Sequence, residues 1–479
     1  MKEGLSKQVL INSLWSLFGR FGYLSISLIS NIILVRLLSP KEFGQLGIVM
    51  FFIIVGSVLT EAGLSGALIR KEHVTDNDYS TIFIFNLIVS FIMMLVLMLS
   101  AGFISNFYND NDLKNILIIS SLVILINAFR IVQDTKLIRE MRFQSKVTYE
   151  FFSIFLSSGI AIFCAFKGAG IWALVLLQIL TPLFLAIIMW YFVGTLKTYK
   201  FSTSSFKSFF KFGINTTLTS LLNVIFNNIY YLVLSRYFSI IQTGYFYQAQ
   251  KLQDIPNSVS QGVILNVMYS ALSKLKGNIK EFIEFYQTSF KLFAVMGAFV
   301  CMVIFNYAEI IIKVLYGEKW LSSAIYLKVL IFISFFYLLE ILSRNIFKVF
   351  DRTEKILQLE ILKKTLQMGT IIYGVLTASI VNLLYGFAYV YVFSFLINYF
   401  FVRKILNIPD INDLIVIFKI SLICIFVILF LNNVIIAYGY LQEGSAISFL
   451  IIIFLYAILL KVFKIIDLRN FLNIKKFLI

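Results

Sequence analysis

Fourteen long apolar runs fill most of this 479-residue chain, and the positive charge between them gathers on alternate loops, so the sequence draws its own route through a membrane. The runs are Leu10 to Leu38, Phe43 to Ile69, Tyr79 to Phe103, Leu113 to Leu137, Val147 to Phe166, Ile171 to Val193, Phe212 to Phe238, Gly244 to Leu272, Leu292 to Leu315, Leu321 to Phe350, Ile356 to Ile380, Leu383 to Val402, Leu414 to Leu431 and Ala446 to Val462. Each reaches or approaches the ~17–25 residues that cross a hydrocarbon core. The chain is 60% hydrophobic and 14% charged, with a mean hydropathy of +0.91, against roughly 45–50% apolar and 25% charged in a soluble domain. The expected fold class is an all-α integral membrane protein of 14 transmembrane helices.

An even number of spans puts both termini on one side, and short cytoplasmic loops accumulate Lys and Arg. Of the 41 basic residues, 30 fall on the N-terminus, alternate loops and the C-terminal tail, including Lys136, Arg139, Arg142 and Lys146 in one loop and Lys475 and Lys476 in the tail. The opposite side holds 8, and Arg20, Arg130 and Lys251 lie within spans. Both termini are therefore expected in the cytoplasm. The net charge of +17 reads as a topological signal rather than a nucleic-acid footprint. The first run has no Ala-x-Ala site after it and is longer than a signal-peptide core, so it is expected to be a retained span. The loops leave no room for a soluble catalytic domain.

The most polar interruption, Gly194 to Lys211, divides six spans from the next six. It suggests a first lobe at 1–194, a cytoplasmic linker at 195–211, a second lobe at 212–404, and spans thirteen and fourteen with a basic tail at 405–479. Arg36, Ser39 and Gly44 after span one recur as Arg236, Ser239 and Gly244 after span seven, at a constant offset of 200. Two six-span units that both start in the cytoplasm would be parallel repeats; the alternative is that span junctions in general share this pattern.

Enzymatic chemistry finds little support. The single histidine, His73, stands among Lys71, Glu72 and Asp76 with no nucleophile in a recognisable arrangement. Cys164, Cys301 and Cys424 are isolated within apolar runs, which suggests neither metal pair nor disulfide. Asp76-Asn77-Asp78 and Asp110-Asn111-Asp112 imitate a divalent-ion motif but sit in short loops, where helix capping is the plainer reading. No catalytic residue, metal or cofactor is expected.

Ionisable residues inside apolar runs carry more information, because a charge near the bilayer centre costs roughly 2.5–3.5 kcal/mol on insertion scales and usually faces a partner or a wet cavity. Arg20 lies about ten residues into span one, with no carboxylate between Glu3 and Glu42 to pair along the helix. Arg130 and Asp134, Lys251 and Asp254, and Glu340 and Arg344 are spaced to neutralise one another on single helix faces. Glu61 opens the small-residue stretch Glu61-Ala62-Gly63-Leu64-Ser65-Gly66-Ala67, which permits close helix approach or a local break. It fits a coupling carboxylate or an interface residue equally.

Several segments together resemble one family. These are Glu61 to Lys71 followed by Asp78-Tyr79-Ser80-Thr81 and Asn86; Leu137-Ile138-Arg139-Glu140-Met141-Arg142-Phe143; Gly244 to Leu252 with Pro256; Ser270 to Leu275; and Leu315 to Trp320. In this order on a fourteen-span chain they are similar to the Wzx-type polysaccharide flippases of the multidrug/oligosaccharidyl-lipid/polysaccharide (MOP) exporter superfamily. The pattern departs at Gln248, where relatives often carry Arg, and over Met268 to Ala271, where they carry a Pro.

The resemblance implies an inner-membrane transporter with two six-helix lobes around a central cavity and two peripheral helices. Its cargo would be an undecaprenyl-pyrophosphate-linked oligosaccharide, moved from the cytoplasmic to the periplasmic leaflet by alternating access for O-antigen, capsule or exopolysaccharide assembly. Arg20 and Lys251, then Arg130 and Arg344, are the candidates for the pyrophosphate and glycan, and Glu61 or Asp254 for coupling to H⁺ or Na⁺. The expected partners are the lipid-linked oligosaccharide, membrane lipid and a polysaccharide polymerase, with no nucleic acid. Alternatives are a cation-coupled multidrug exporter or a lipid II flippase of the same superfamily and, less well supported, a membrane polysaccharide polymerase, which would need a large basic periplasmic loop.

Overall fold

The computed structural model describes residues 2–438, 446–463 and 465; the side chains of 2–18, 20, 211, 212, 215, 266, 353, 434–438 and 446 fall outside that description. Every regular element among the described residues is helical, the arrangement in which a segment satisfies its own backbone within lipid.

The helices run through the same succession twice. The first is α1 (Lys2–Leu37), α2 (Pro40–Glu61), α3 (Leu64–Arg70), α4 (Asp76–Tyr108), α5 (Asp112–Ser120), α6 (Leu122–Arg139), α7 (Phe143–Phe166) and α8 (Ile171–Phe192). The second is α9 (Thr203–Tyr237), α10 (Ile240–Gly262), α11 (Tyr269–Leu275), α12 (Ile279–Asn306), α13 (Ala308–Tyr316), α14 (Ser323–Val349), α15 (Thr353–Leu376) and α16 (Ile380–Leu406). Two more follow, α17 (Asn412–Tyr438) and α18 (Ala446–Val462).

Three of the paired helices match in length, with 7 residues in α3 and α11, 9 in α5 and α13, and 24 in α7 and α15. The joints match as well. Met141 and Asp351, 210 positions apart, both take φ 55°. In each turn the next residue closes back onto the preceding helix, Arg142 N–H donating to Leu137 O at 2.8 Å and Arg352 N–H to Phe347 O at 2.7 Å, as at a Schellman helix end. The echo at Arg36 and Arg236 is thus accompanied by matching helix lengths at three places and a matching turn at a fourth.

Ten segments of the described residues are long and apolar enough to cross a membrane, and two shorter apolar helices, Phe21–Leu37 and Ile447–Val462, accompany them. Spans eight and eleven of the sequence analysis, carried by α10 and α15, are not among the ten. Polarity is the reason: α10 holds Gln248, Gln250, Lys251, Gln253, Asp254 and Asn257, and α15 holds Glu360, Lys363, Lys364 and Gln367. On the apolar helices, large side chains such as Leu99 and Phe103 stand 84% and 76% exposed, a surface suited to hydrocarbon.

By packing, the chain separates into two compact units, Met1–Tyr247 and Gln248–Ile479. In the first, α7 lies along α1 and α8, α6 along α4 and α8, and α2 along α4 and α9, around a core that includes Ile48, Val49, Leu97, Ile116, Leu117 and Ile124. The start of α10 meets α2 at two glycines. A Cβ on Gly44 would lie 1.8 Å from Ile240 O, and one on Gly244 would lie 1.9 Å from Pro40 O, so only residues without a side chain permit this approach. These are the glycines of the sequence echo.

In the second unit α14 packs on α12 and α16, α15 on α16, α17 on α12, and α18 on α17. Phe282, Phe285, Phe290, Leu342, Phe347 and Phe395 sit in its core. Tyr456 OH donates to Val295 O at 2.8 Å and Tyr307 OH to Ser448 Oγ at 2.9 Å, which fixes α18 against α12 and the turn after it.

The loop before α4 explains several of the family-like residues. Asp78, 1% exposed, closes a capping box with Thr75, and its Oδ2 also accepts Lys71 Nζ at 2.8 Å. Arg139 donates through Nη1 to Leu68 O at 2.8 Å and Lys71 O at 2.6 Å, and through Nη2 to Glu72 O at 2.6 Å. It thereby satisfies carbonyls that the end of α3 leaves without helical partners. The second Asp-Asn-Asp stretch is also structural, Asp110 accepting Gln45 Nε2 at 2.9 Å and Asp112 N–H at 3.0 Å. His73 is exposed.

Arg139→Ala should lower stability by about 2 kcal/mol, since a hydrogen bond from a charged donor is worth roughly 1.5–3 kcal/mol. Arg139→Lys should recover only part of this, having no planar fork to span three carbonyls. Thermal unfolding in detergent measures both, and an unchanged midpoint for the alanine variant would remove Arg139 from the stabilising contacts.

Candidate functional site

A dense set of charges within the described helices lies on the hairpin of α14 and α15. Helical spacing puts Glu340 and Arg344 on one face of α14, and Glu360, Lys363, Lys364 and Gln367 on one face of α15. The tight turn at Asp351 makes the two helices antiparallel neighbours, so residues equally far from the turn stand level. Arg344 accordingly pairs with Glu340 on its own helix and with Glu360 across the hairpin. Lys363 Nζ reaches Glu340 Oε2 at 2.8 Å, and Lys364 Nζ reaches Glu360 Oε1 at 3.4 Å.

The cluster has two halves of different character. Glu340 is fully buried, its partner Lys363 has a side chain only 4% exposed, and the Lys363 ammonium sits 3.8 Å above the centre of the Tyr391 ring on α16. Arg344 and Glu360, by contrast, have side chains 20% and 21% exposed, and Arg344 Nε is buried with no hydrogen-bond partner. Three cations and two carboxylates leave one net positive charge. Glu340 stands about 14 Å from the end of α14 and Lys363 about 15 Å into α15 at 1.5 Å per residue, well inside the helices. Lys363 and Lys364 fall within the eleventh apolar run, and the structure puts them in α15.

The other candidates are dispersed. The side chain of Arg20 lies outside the described part of the structure; beside it Gly19 brings α1 against α7, where a Cβ would be 1.4 Å from Val147 Cγ1. Arg130 does not pair with Asp134. Its Nε donates to Asn127 Oδ1 at 2.8 Å, and Asp134 is taken by Lys146, which reaches across the α6–α7 hairpin and also lies 3.5 Å from Glu150. Lys251 and Asp254 are both exposed on α10. Between them Gln253 is buried, donating to Leu330 O and Ser334 Oγ at 2.8 Å each and so tying α10 to α14. Glu61 is exposed at the last residue of α2. The chain breaks just after it, with Ala62 at φ 47° and Gly63 at φ 62°. A Cβ on Gly63 would lie 2.8 Å from Gly213 O of α9, so break and close approach occur together.

Glu360, Lys363 and Lys364 are the residues that sequence reasoning missed. A signal for Glu360 exists in the repeat: at the 210 offset of the Met141 and Asp351 turns, Glu150 corresponds to Glu360, Asp134 to Arg344 and Arg130 to Glu340. The two hairpins thus carry charges at equivalent positions, with sign reversed at two of the three.

The profile of a family described as polysaccharide biosynthesis protein matches residues 33–325. The succinoglycan biosynthesis transport protein ExoT of Rhizobium meliloti is 24% identical over 316 residues, which cover 66% of this chain and 64% of ExoT, just under two thirds of its length. The lipopolysaccharide biosynthesis protein WzxC of Escherichia coli is 20% identical over 418 residues, covering 84% of this chain and 82% of WzxC. Among solved structures, the lipid II flippase MurJ in an inward closed conformation superimposes with a TM-score of 0.73 over 95% of this chain and 98% of MurJ, at 15% identity. The fold is therefore MurJ-like.

Removing one member of a buried ion pair strands its partner, at a cost of about 3–5 kcal/mol. Glu340→Gln should accordingly lower the yield and melting temperature of purified protein, and Glu340→Gln with Lys363→Gln should restore much of the loss. Equal stability of the single variant and the wild type would show that the pair is dispensable to folding.

Proposed function

Because the chain belongs to the polysaccharide biosynthesis protein family, we propose that it is a flippase, carrying undecaprenyl-pyrophosphate-linked oligosaccharide units from the cytoplasmic to the periplasmic leaflet by alternating access. In this reading fourteen helices cross the bacterial inner membrane with both termini cytoplasmic. Lobes at 1–194 and 212–404 flank a central cavity, joined by the 195–211 linker and followed by the helix pair of 405–479. The observation that carries the reading is the polar pair α10 and α15 in an otherwise apolar chain, with Arg344, Lys363 and Lys364 held inside one hairpin. A glycan with a dianionic linker calls for polar surface and cations at membrane depth, and a drug exporter for apolar cations does not.

Arg20 and Lys251, with Arg130 and Arg344, are the proposed contacts for the pyrophosphate and glycan. Glu61 or Asp254 would carry a coupling H⁺ or Na⁺. Outward movement of an anion is favoured by the membrane potential by about 2.3 kcal/mol per charge per 100 mV, so the potential assists export with or without that ion. A polysaccharide polymerase would take up the delivered units.

Depletion of the protein should trap completed lipid-linked units on the cytoplasmic leaflet, where a membrane-impermeant glycosidase added to intact spheroplasts fails to reach them. Single units that reach the periplasm but do not lengthen would instead indicate a polymerase. Arg20→Ala should abolish export at normal membrane level while Arg20→Lys retains part, and full activity of the alanine variant would remove Arg20 from the site.

A further inference from the structure

We infer that Arg344 and Lys364 form an anion site whose built-in occupant is Glu360, and that the diphosphate of a lipid-linked substrate replaces this carboxylate during transport. The inference rests on the flippase reading and adds to it the group that holds the cationic site between substrates.

The geometry separates the two carboxylates. Glu340 is fully buried and gripped by Arg344 and by Lys363, which is itself pinned over Tyr391. Glu360 touches the same guanidinium and lies 3.4 Å from Lys364, yet its side chain is 21% exposed. Glu360 thus has room to move off Arg344 at the surface of the hairpin, whereas Glu340 has only protein around it. The unpartnered Arg344 Nε leaves the guanidinium short of its full set of hydrogen bonds while two carboxylates occupy it.

Charge favours the exchange. Glu360 offers one negative charge to two cations, and a diphosphate offers at least two with more acceptor oxygens. Arg presents its donors in a fork that matches phosphate as readily as carboxylate. Without Glu360, Lys364 would have no counter-charge and would face Arg344 with only the shared Glu340 to offset it whenever substrate is absent. Glu360 removes that repulsion and weakens substrate binding by the strength of its own contacts, which keeps release possible.

The test is binding of geranylgeranyl pyrophosphate to the full-length protein in nanodiscs, with geranylgeranyl monophosphate and inorganic pyrophosphate as comparison probes. Glu360→Gln should bind the lipid diphosphate about tenfold more tightly than wild type, and Lys364→Gln, which leaves Glu360 on Arg344, at least tenfold more weakly. Should Glu360→Gln fail to fold, the Lys364→Gln arm still decides. Lipid diphosphate binding that Glu360→Gln leaves unchanged or weakens overturns this inference alone. A wild type that binds no lipid diphosphate overturns the flippase reading as well. Stronger binding of the lipid than of inorganic pyrophosphate identifies a membrane-borne ligand, and equal binding would overturn the lipid assignment.

Discussion

A charge drawn into an apolar environment must bring its counter-charge, and the α14–α15 hairpin is organised around that requirement. Arg344 lies between two glutamates because each helix contributes one at the level the turn dictates. Any shift in the position of the turn would slide Glu360 and Lys363 past their partners. The turn at Asp351, the lengths of the two helices and the burial of Glu340 are therefore one constraint seen at three places. The polar face of α15 excludes lipid from this side of the helix, so α15 needs α14 and α16 beside it in order to be in the membrane at all.

The apolar helices were legible in the sequence, because length and hydropathy alone mark a segment that can cross a bilayer. The helix breaks were legible too: Ala62-Gly63 stands within a small-residue stretch, and the chain breaks there. The pairing of Lys363 and Lys364 was not legible, because nothing local tells a paired lysine from a solvated one and their partners are set by the packing of the hairpin. Arg130 and Asp134 show the converse. Spacing on one helix suggested a pair, but Lys146 on the next helix competes for the same carboxylate, and competition across helices cannot be read from one helix. The family-like residues Lys71, Asp78 and Arg139 were legible as a motif, and in the structure they hold a loop in shape.

The 210-residue correspondence of the two hairpins changes how the site residues are weighed. Arg130 and Arg344 look alike in a list of membrane-embedded cations, yet Arg344 corresponds to Asp134. Charges stand at corresponding positions on the two hairpins with different signs, and each hairpin has its own internal pairing: Lys146 with Asp134 and Glu150 in one, Arg344 and Lys363 with Glu340 and Glu360 in the other.

The glycine crossing of α2 and α10 sets alignment and leaves burial to the side chains around it. The two backbones at the crossing present almost no apolar side-chain area of their own, so at roughly 25 cal/mol per Å² the burial that holds them together comes from neighbours such as Phe43 and Tyr247. The tolerance of the crossing is narrow, since a single methyl group at Gly44 or Gly244 would lie within 2 Å of a carbonyl oxygen. Such a joint works as an index mark: it admits one alignment of the two helices, and that alignment is the one in which Phe43 packs against Tyr247.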